Sequence, residues 1–282
     1  MTEHSVDKFY TSEVFNRLHD TETVAYFALF VYGSVESDGF VRVKNTRHSV
    51  PKHWEPVILP GAINYFPEKG RNLNGLKFDV WLNRNENKVV IAFRGTRFSH
   101  WQDWYSNLRW VTRFIPGVND FYVQTQSFIP QLVTWLRQTY GDNTELVTAG
   151  HSLGGGLAQY AGYNSPHIRM VYGFAPSFVT GYRNIERTKR GQGKTNMLIA
   201  RVFEHGEILA YVRFFLRKLI ALSVDNPEIV ELRFNCSNSG AISQHSMGKM
   251  AERLTDKLGQ ELQAGLPRAL PRPRVVTTAA EE

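Results

Sequence analysis

The sequence predicts an α/β fold in which a mostly parallel central sheet is flanked by helices. Short apolar segments of strand character alternate with helical segments, which is the order that a parallel sheet with crossover helices requires. An apolar strand at 144–149 runs into a glycine-rich turn, and a helical pattern follows at 157–163. With 282 residues, 42% of them hydrophobic, the chain can bury a sizeable core. We therefore expect a single domain over residues 1–264.

The individual elements follow in order along the chain. An apolar pattern predicts a helix over residues 12–35, and prolines and glycines between 51 and 70 predict loops after it. Alternation in 78–82 and a β-branched run in 88–93 predict a hairpin. Helical spacing in 121–140 ends at Gly141, a favourable C-cap. The later elements are predicted strands at 169–174, 197–203 and 229–234, a helix at 247–266, and a disordered, proline-rich tail over 265–282.

Composition limits the partners and the compartment. Cys236 is the single cysteine, so no intrachain disulfide can form. The start of the chain lacks a signal-peptide pattern, and the apolar run 24–32 is too short to span a bilayer; we expect a cytoplasmic protein, or one exported without a signal peptide. The net charge of +7 favours an acidic partner, either an anionic membrane surface or nucleic acid, and charge alone does not choose between them. No nucleic-acid-binding motif is visible, so we expect a membrane surface and no nucleic acid. No cluster of ligand residues indicates a metal or an organic cofactor.

The strongest functional signal is the pattern Gly150-x-Ser152-x-Gly154. It lies at the end of a predicted strand and before a helix, where such a pattern places serine on a sharp, strained bend. The bend exposes the serine Oγ, and it places the backbone N–H of Leu153 at the positive end of the following helix. Ser152 is therefore the predicted nucleophile of an α/β hydrolase, and the Leu153 N–H is a predicted oxyanion donor.

A serine nucleophile needs a histidine to accept its proton and a carboxylate to orient that histidine. In this fold they follow the serine in the order acid, then histidine. His245, in a loop between the last predicted strand and the last helix, is the predicted base. Glu207, just after the strand at 197–203, is the favoured acid, and Glu204 is its nearest competitor.

Three segments together resemble the class 3 (fungal-type) lipases. They are the strand 89–93 with Arg94-Gly95-Thr96, then Trp104 with Asn107-Leu108, and then the segment 150–155. The resemblance implies that Thr96 supplies an oxyanion-hole donor together with Leu153, and that the acid matches Glu207. In the family this acid is usually an aspartate, so the glutamate is a departure.

The resemblance also implies a short lid over the active site, after Thr96. Its apolar residues recur at helical spacing and are Phe98, Trp101, Trp104, Tyr105 and Leu108. Aromatic residues of this kind suit a membrane interface, but the same pattern also fits a helix packed permanently on the core. The segment 208–222 combines apolar residues with three cations and allows the same two interpretations.

These observations predict a serine esterase or lipase. It would hydrolyse carboxylic esters of lipids, acylglycerols or phospholipids, through an acyl-enzyme intermediate. The alternatives are a thioesterase or acyltransferase, which would use the same catalytic residues, and a catalytically silent hydrolase fold that binds lipid or membranes.

Overall fold

The protein is seen in a computed structural model. The structure describes residues 34–35, 40–43, 46–49, 53–60, 78–94, 118–177, 180, 185, 187–204 and 227–234. The predicted lid, the segment 208–222, the helix at 247–266 and the tail at 265–282 lie outside the described residues, as does most of the predicted helix at 12–35. These expectations, and the division into one domain and a tail, stay predictions.

The main sheet has seven described strands, which are β4 (Trp54–Pro56), β5 (Phe78–Asn83), β6 (Lys88–Phe93), β7 (Glu145–His151), β8 (Ile168–Phe174), β9 (Leu198–Glu204) and β10 (Glu228–Phe234). Their order in the sheet is β10-β9-β8-β7-β6-β5-β4. Strands β6 to β10 are parallel neighbours, while β4 and β5 form an antiparallel edge next to β6. The predicted fold class is therefore confirmed.

Three helices are described. They are α1 (Val118–Tyr140), α2 (Leu153–Asn164) and α3 (Arg187–Lys194). The structure places the start of α2 at Leu153, earlier than the apolar pattern beginning at Leu157 predicts. The first turn of α2 contains three glycines, which are weak helix formers and have no side chain to contribute to an apolar pattern, so the pattern begins only after them.

A second, three-stranded sheet corrects the prediction for the N-terminal part of the chain. It has the order β1-β2-β3, formed by Ser34–Val35, Phe40–Val43 and Thr46–Ser49. The sequence predicts the end of a helix and then loops there. The prolines that suggested loops begin at Pro51, beyond these strands, and the valines of β2 favour a strand.

Helices α1 and α2 pack on one face of the main sheet. Ile129, Leu132 and Leu136 follow helical spacing along α1, and none of the three is exposed. Burial of each side chain contributes roughly 1.5–3 kcal/mol to folding. Phe128, also in α1, stacks on Phe78 of β5 with 4.7 Å between the ring centres. The helix that precedes β7 is thus fixed against the strands beside it.

Candidate active site

Ser152 occupies a strained bend between β7 and α2. Its backbone angles are φ 54° and ψ −119°, and a positive φ is uncommon for a residue other than glycine. Such a conformation costs on the order of 1–3 kcal/mol and persists only where the surroundings enforce it. The side chain makes no capping hydrogen bond to α2, so the Oγ is not committed to holding the helix start. Partial exposure leaves this serine accessible.

Backbone hydrogen bonds from β8 and its following turn hold the bend. The Ser152 N–H donates to the Phe174 carbonyl at 3.0 Å, and the Ser177 N–H donates to the Ser152 carbonyl at 2.8 Å. The Gly156 N–H also donates to the Ser152 carbonyl, at 3.2 Å, as α2 begins. The turn is itself anchored to the next strand, because the Ala175 N–H donates to the Val202 carbonyl at 2.7 Å.

The glycines around Ser152 are required by close backbone contacts. A Cβ on Gly150 would collide with the backbone of Gly154 and would lie 2.7 Å from the Gly155 nitrogen. A Cβ on Gly155 would lie 2.7 Å from the Cβ of Pro176. The glycine spacing that the sequence showed is therefore explained by the way α2 lies on the end of β7 and on the turn after β8.

The first turn of α2 also contacts the end of β6. A Cβ on Gly154 would lie 2.5 Å from the Phe93 carbonyl oxygen and 3.0 Å from the carbonyl carbon of Arg94. The Arg94 guanidinium donates to Oδ2 of Asp79 from Nε at 2.9 Å and from Nη2 at 2.6 Å, which ties the end of β6 to β5. Arg94, the last described residue after β6, therefore lies beside the start of α2.

Leu153 is the first residue of α2 and is buried. The N–H groups of the first helical turn have no carbonyl four residues earlier within the helix to receive them. They also form the positive end of the helix dipole. The Leu153 N–H, adjacent to the Ser152 Oγ along the chain, thus suits the stabilisation of a negatively charged oxygen on a substrate attacked by that serine.

The predicted acid and base are only partly covered by the structure. Glu204 is the last residue of β9, and its backbone pairs with Phe234 at the end of β10. In the same sheet His151 pairs with Phe174, and Phe174 pairs with Val202. Ser152 and the chain that leaves β9 therefore lie at the same edge of the sheet. Glu207, His245 and Thr96 lie outside the described residues, and their roles stay predictions.

The turn that follows β8 was not singled out as part of the site from the sequence. Gly173 near the end of β8, and Ala175 and Pro176 just after it, carry no predicted role, yet this turn holds the bend at Ser152. A Cβ on Gly173 would lie 3.0 Å from the Cβ and Cγ of Pro176. The sequence signal was the combination of a glycine in an apolar strand with a proline just after it.

The described residues carry the features of an α/β hydrolase: a mainly parallel sheet and a strained serine between a central strand and a helix. The chain has the α/β-hydrolase fold. Among the described residues, no group of three or more histidine, cysteine, aspartate or glutamate side chains could hold a metal ion. Within the same part of the chain, no helix is long and apolar enough to cross a membrane.

Known proteins similar to the chain are lipases and a phospholipase. No family model matches the chain. The extracellular phospholipase A1 of Serratia liquefaciens is 35% identical over 101 residues, which are 36% of this chain and 28% of that protein. The match thus spans little more than a quarter of the relative. The similarity to lipolytic enzymes that the sequence predicted is confirmed.

Solved structures of fungal lipases are also similar. The Lip2 lipase of Yarrowia lipolytica has a TM-score of 0.44 at 14% identity, over 79% of this chain and 80% of that one. The Rhizomucor miehei lipase in its propeptide complex has a TM-score of 0.46 at 14% identity, over 84% and 77%.

Proposed function

We propose that the protein is a serine hydrolase that cleaves carboxylic esters of lipids, either acylglycerols or phospholipids. The observation that carries this proposal is the strained backbone of Ser152, which presents the serine at the junction of β7 and α2. A backbone cost of this kind is retained at sites of chemistry because it fixes a reacting group in place. The match to an extracellular phospholipase A1 supports a lipid ester as the substrate.

In the proposed reaction, the Ser152 Oγ attacks the ester carbonyl while His245 takes its proton. His245 then gives that proton to the leaving alcohol, and an acyl-enzyme remains on Ser152. Water, activated by the same histidine, releases the fatty acid. Glu207 orients the histidine, and Thr96 with the Leu153 N–H stabilises the oxyanion in both steps. No metal or organic cofactor takes part.

The geometry supports the proposed oxyanion hole from both of its sides. Leu153 begins α2 directly after the nucleophile. Gly154 lies against the carbonyl groups of Phe93 and Arg94, and Arg94 precedes Thr96 by two residues in the sequence. This contact is between backbone segments, and the short separation of Thr96 from Arg94 in the sequence supports the proposed role of Thr96 as the second donor.

For the site of action, we propose contact with an anionic lipid surface. The net charge of +7 supports electrostatic attraction to such a surface, and each basic residue near it contributes about 1 kcal/mol. The relative is named as extracellular, which supports action outside the producing cell. Flotation with vesicles of anionic or zwitterionic phospholipid tests the contact, which should weaken at high salt.

The decisive experiment measures acyl-chain release from nitrophenyl esters of increasing chain length and from phospholipid vesicles. Ser152→Ala should abolish turnover, since no other hydroxyl lies on the bend. Ser127→Ala is the matched control, because this serine is exposed on α1 and donates only to the Gln124 carbonyl. Activity that survives Ser152→Ala would refute the mechanism.

The same assay identifies the acid. Glu207→Ala should lower kcat by roughly 10⁴-fold, as does the loss of the orienting carboxylate in other serine hydrolases. Glu204→Ala should have a much smaller effect. The reverse order would assign the role to Glu204. Absence of turnover by the wild-type protein, together with vesicle binding unaffected by Ser152→Ala, would replace the proposal with a membrane-binding function.

A further inference from the structure

A buried polar contact links α2, the helix that follows Ser152, to strand β9. Gln159 lies on α2 and is not exposed to solvent. Its Nε2 donates to the Gly155 carbonyl at 3.1 Å, and its Oε1 accepts from Nη2 of Arg201 at 3.0 Å. The two hydrogen bonds form a continuous connection from the first turn of α2 to the middle of β9.

The position of this link in the sheet relates it to the active site. The register places Gly150 beside Gly173, and Gly173 beside Arg201. Arg201 is thus level with the residue that lies two positions before Ser152. It is also three residues before Glu204, which ends β9, a separation of about 10 Å along an extended strand. The link therefore joins the two segments that carry the nucleophile and lead to the acid.

An apolar side chain would fill the position of Gln159 at a lower desolvation cost. Burial of an amide costs about 1–3 kcal/mol when its hydrogen bonds are not satisfied, and a partly buried guanidinium adds its own cost. Neighbouring positions of α2, such as Leu157, Ala158 and Ala161, are apolar. Buried polar contacts of this type define one relative arrangement of the elements they join, whereas apolar packing tolerates small displacements.

We propose that Gln159 and Arg201 are positioning residues, which hold the end of β9 at a fixed distance from the Ser152 bend so that the acid after β9 can orient the catalytic histidine. This inference rests on the proposed function. It predicts that loss of the link affects the rate of the chemical step while the binding of a small substrate is unchanged, because the link acts on the position of the acid.

The test compares Gln159→Met and Arg201→Lys with the wild-type protein. Gln159→Met keeps the length of the side chain and removes both hydrogen bonds, and Arg201→Lys keeps the charge and removes the planar donor group. Asn164→Leu is the matched control. Asn164 lies on the same helix, and its Nδ2 also donates to the carbonyl four residues earlier, that of Tyr160, at 2.8 Å.

With a soluble short-chain nitrophenyl ester, we expect kcat to fall roughly tenfold in each of the two variants, while KM stays within about twofold of wild type. The acidic limb of the kcat/KM profile should move to lower pH in Gln159→Met, because a displaced carboxylate stabilises the protonated histidine less. The double variant should lose little more than either single variant, since both remove the same link. Asn164→Leu should match the wild type in kcat and pH profile.

A purely structural role for the link would appear as a lower melting temperature in Gln159→Met and Arg201→Lys, with kcat and the pH profile of the folded protein unchanged. That result would overturn the positioning role and leave the proposed function intact. Labelling of the wild-type protein by a fluorophosphonate, which reacts with activated serines, separates the two questions. Absence of both labelling and ester turnover in the wild type would refute the proposed function and, with it, this inference.

Discussion

Gly154→Ala tests the link between the packing of α2 and the proposed oxyanion hole. A Cβ at this position would lie 2.5 Å from the Phe93 carbonyl oxygen, whereas ordinary contacts of a Cβ begin at 3.4 Å. The obstacle is backbone, which cannot rotate away as a flexible side chain can. The end of β6 and the start of α2 must therefore separate by roughly 1 Å for the alanine to fit.

The displacement sets the size of the expected effect. Overpacking of this kind costs about 1–3 kcal/mol of stability, and the better helix propensity of alanine offsets about 0.5–1 kcal/mol of that cost. The effect on catalysis should be larger. If Thr96 is the second oxyanion donor as proposed, a displacement of about 1 Å should lower kcat/KM roughly 100-fold, because the Leu153 N–H and Thr96 then no longer converge on one oxygen.

Hydrolysis of nitrophenyl butyrate gives kcat/KM, and thermal unfolding followed by circular dichroism gives the stability of the same sample. Gly191→Ala is the control, because a Cβ at Gly191 in α3 would meet nothing within 4 Å. This control should be more stable than wild type by about 0.5–1 kcal/mol at unchanged activity. A folded Gly154→Ala protein with the activity of wild type would refute the argument.

Three further predictions concern single side chains. Arg94→Met should lower kcat/KM about tenfold, because the pair with Asp79 ties the end of β6 to β5 beside the start of α2. Stability should change by less than about 1 kcal/mol, since this pair is partly exposed, and an unchanged kcat/KM would contradict the prediction. Burial and the charges of Arg137 and Arg169 lower the pKa of His167 in the folded protein. The unfolded chain therefore binds more protons near pH 6.5, and the free energy of unfolding should fall as the pH drops through that value. His167→Gln should flatten this dependence in melting curves. Ser152→Gly should unfold at a higher temperature than Ser152→Ala by the equivalent of about 1 kcal/mol, because glycine adopts a positive φ without strain.

The strands and the nucleophile were accessible from the sequence for physical reasons. Strands β6, β7 and β8 are mostly buried, so they appear as largely apolar or β-branched runs. The predicted bounds of β8, β9 and β10 agree with the structure to within one residue. Ser152 could be predicted because the bend requires glycine at two fixed positions, which leaves a readable spacing.

Elements stabilised by backbone contacts could not be predicted. Helix α3 has four basic residues and two glycines and lacks an apolar stripe. A Cβ on Gly193 would collide with the Tyr163 carbonyl, so the backbone of α3 contacts the backbone of α2 at a residue that has no side chain. Neither propensity nor hydrophobic periodicity registers such a contact. The side-chain link between Gln159 and Arg201 could not be predicted either, because the two residues are 42 positions apart in the sequence.

The predicted acid and base differ from the nucleophile in the kind of evidence that a sequence contains. A strained bend imposes glycines on its immediate neighbours, so it leaves a local pattern. The acid needs only to lie near the end of β9 and to reach the histidine, and the sequence positions of Glu204 and Glu207 both allow this. The sequence does not distinguish them, because the distance from each carboxylate to the histidine is determined by packing. If the contact between Gln159 and Arg201 fixes that distance, the choice of acid depends on residues far from the carboxylate in sequence. Substitutions on α2 will then change how well the acid near the end of β9 orients the histidine.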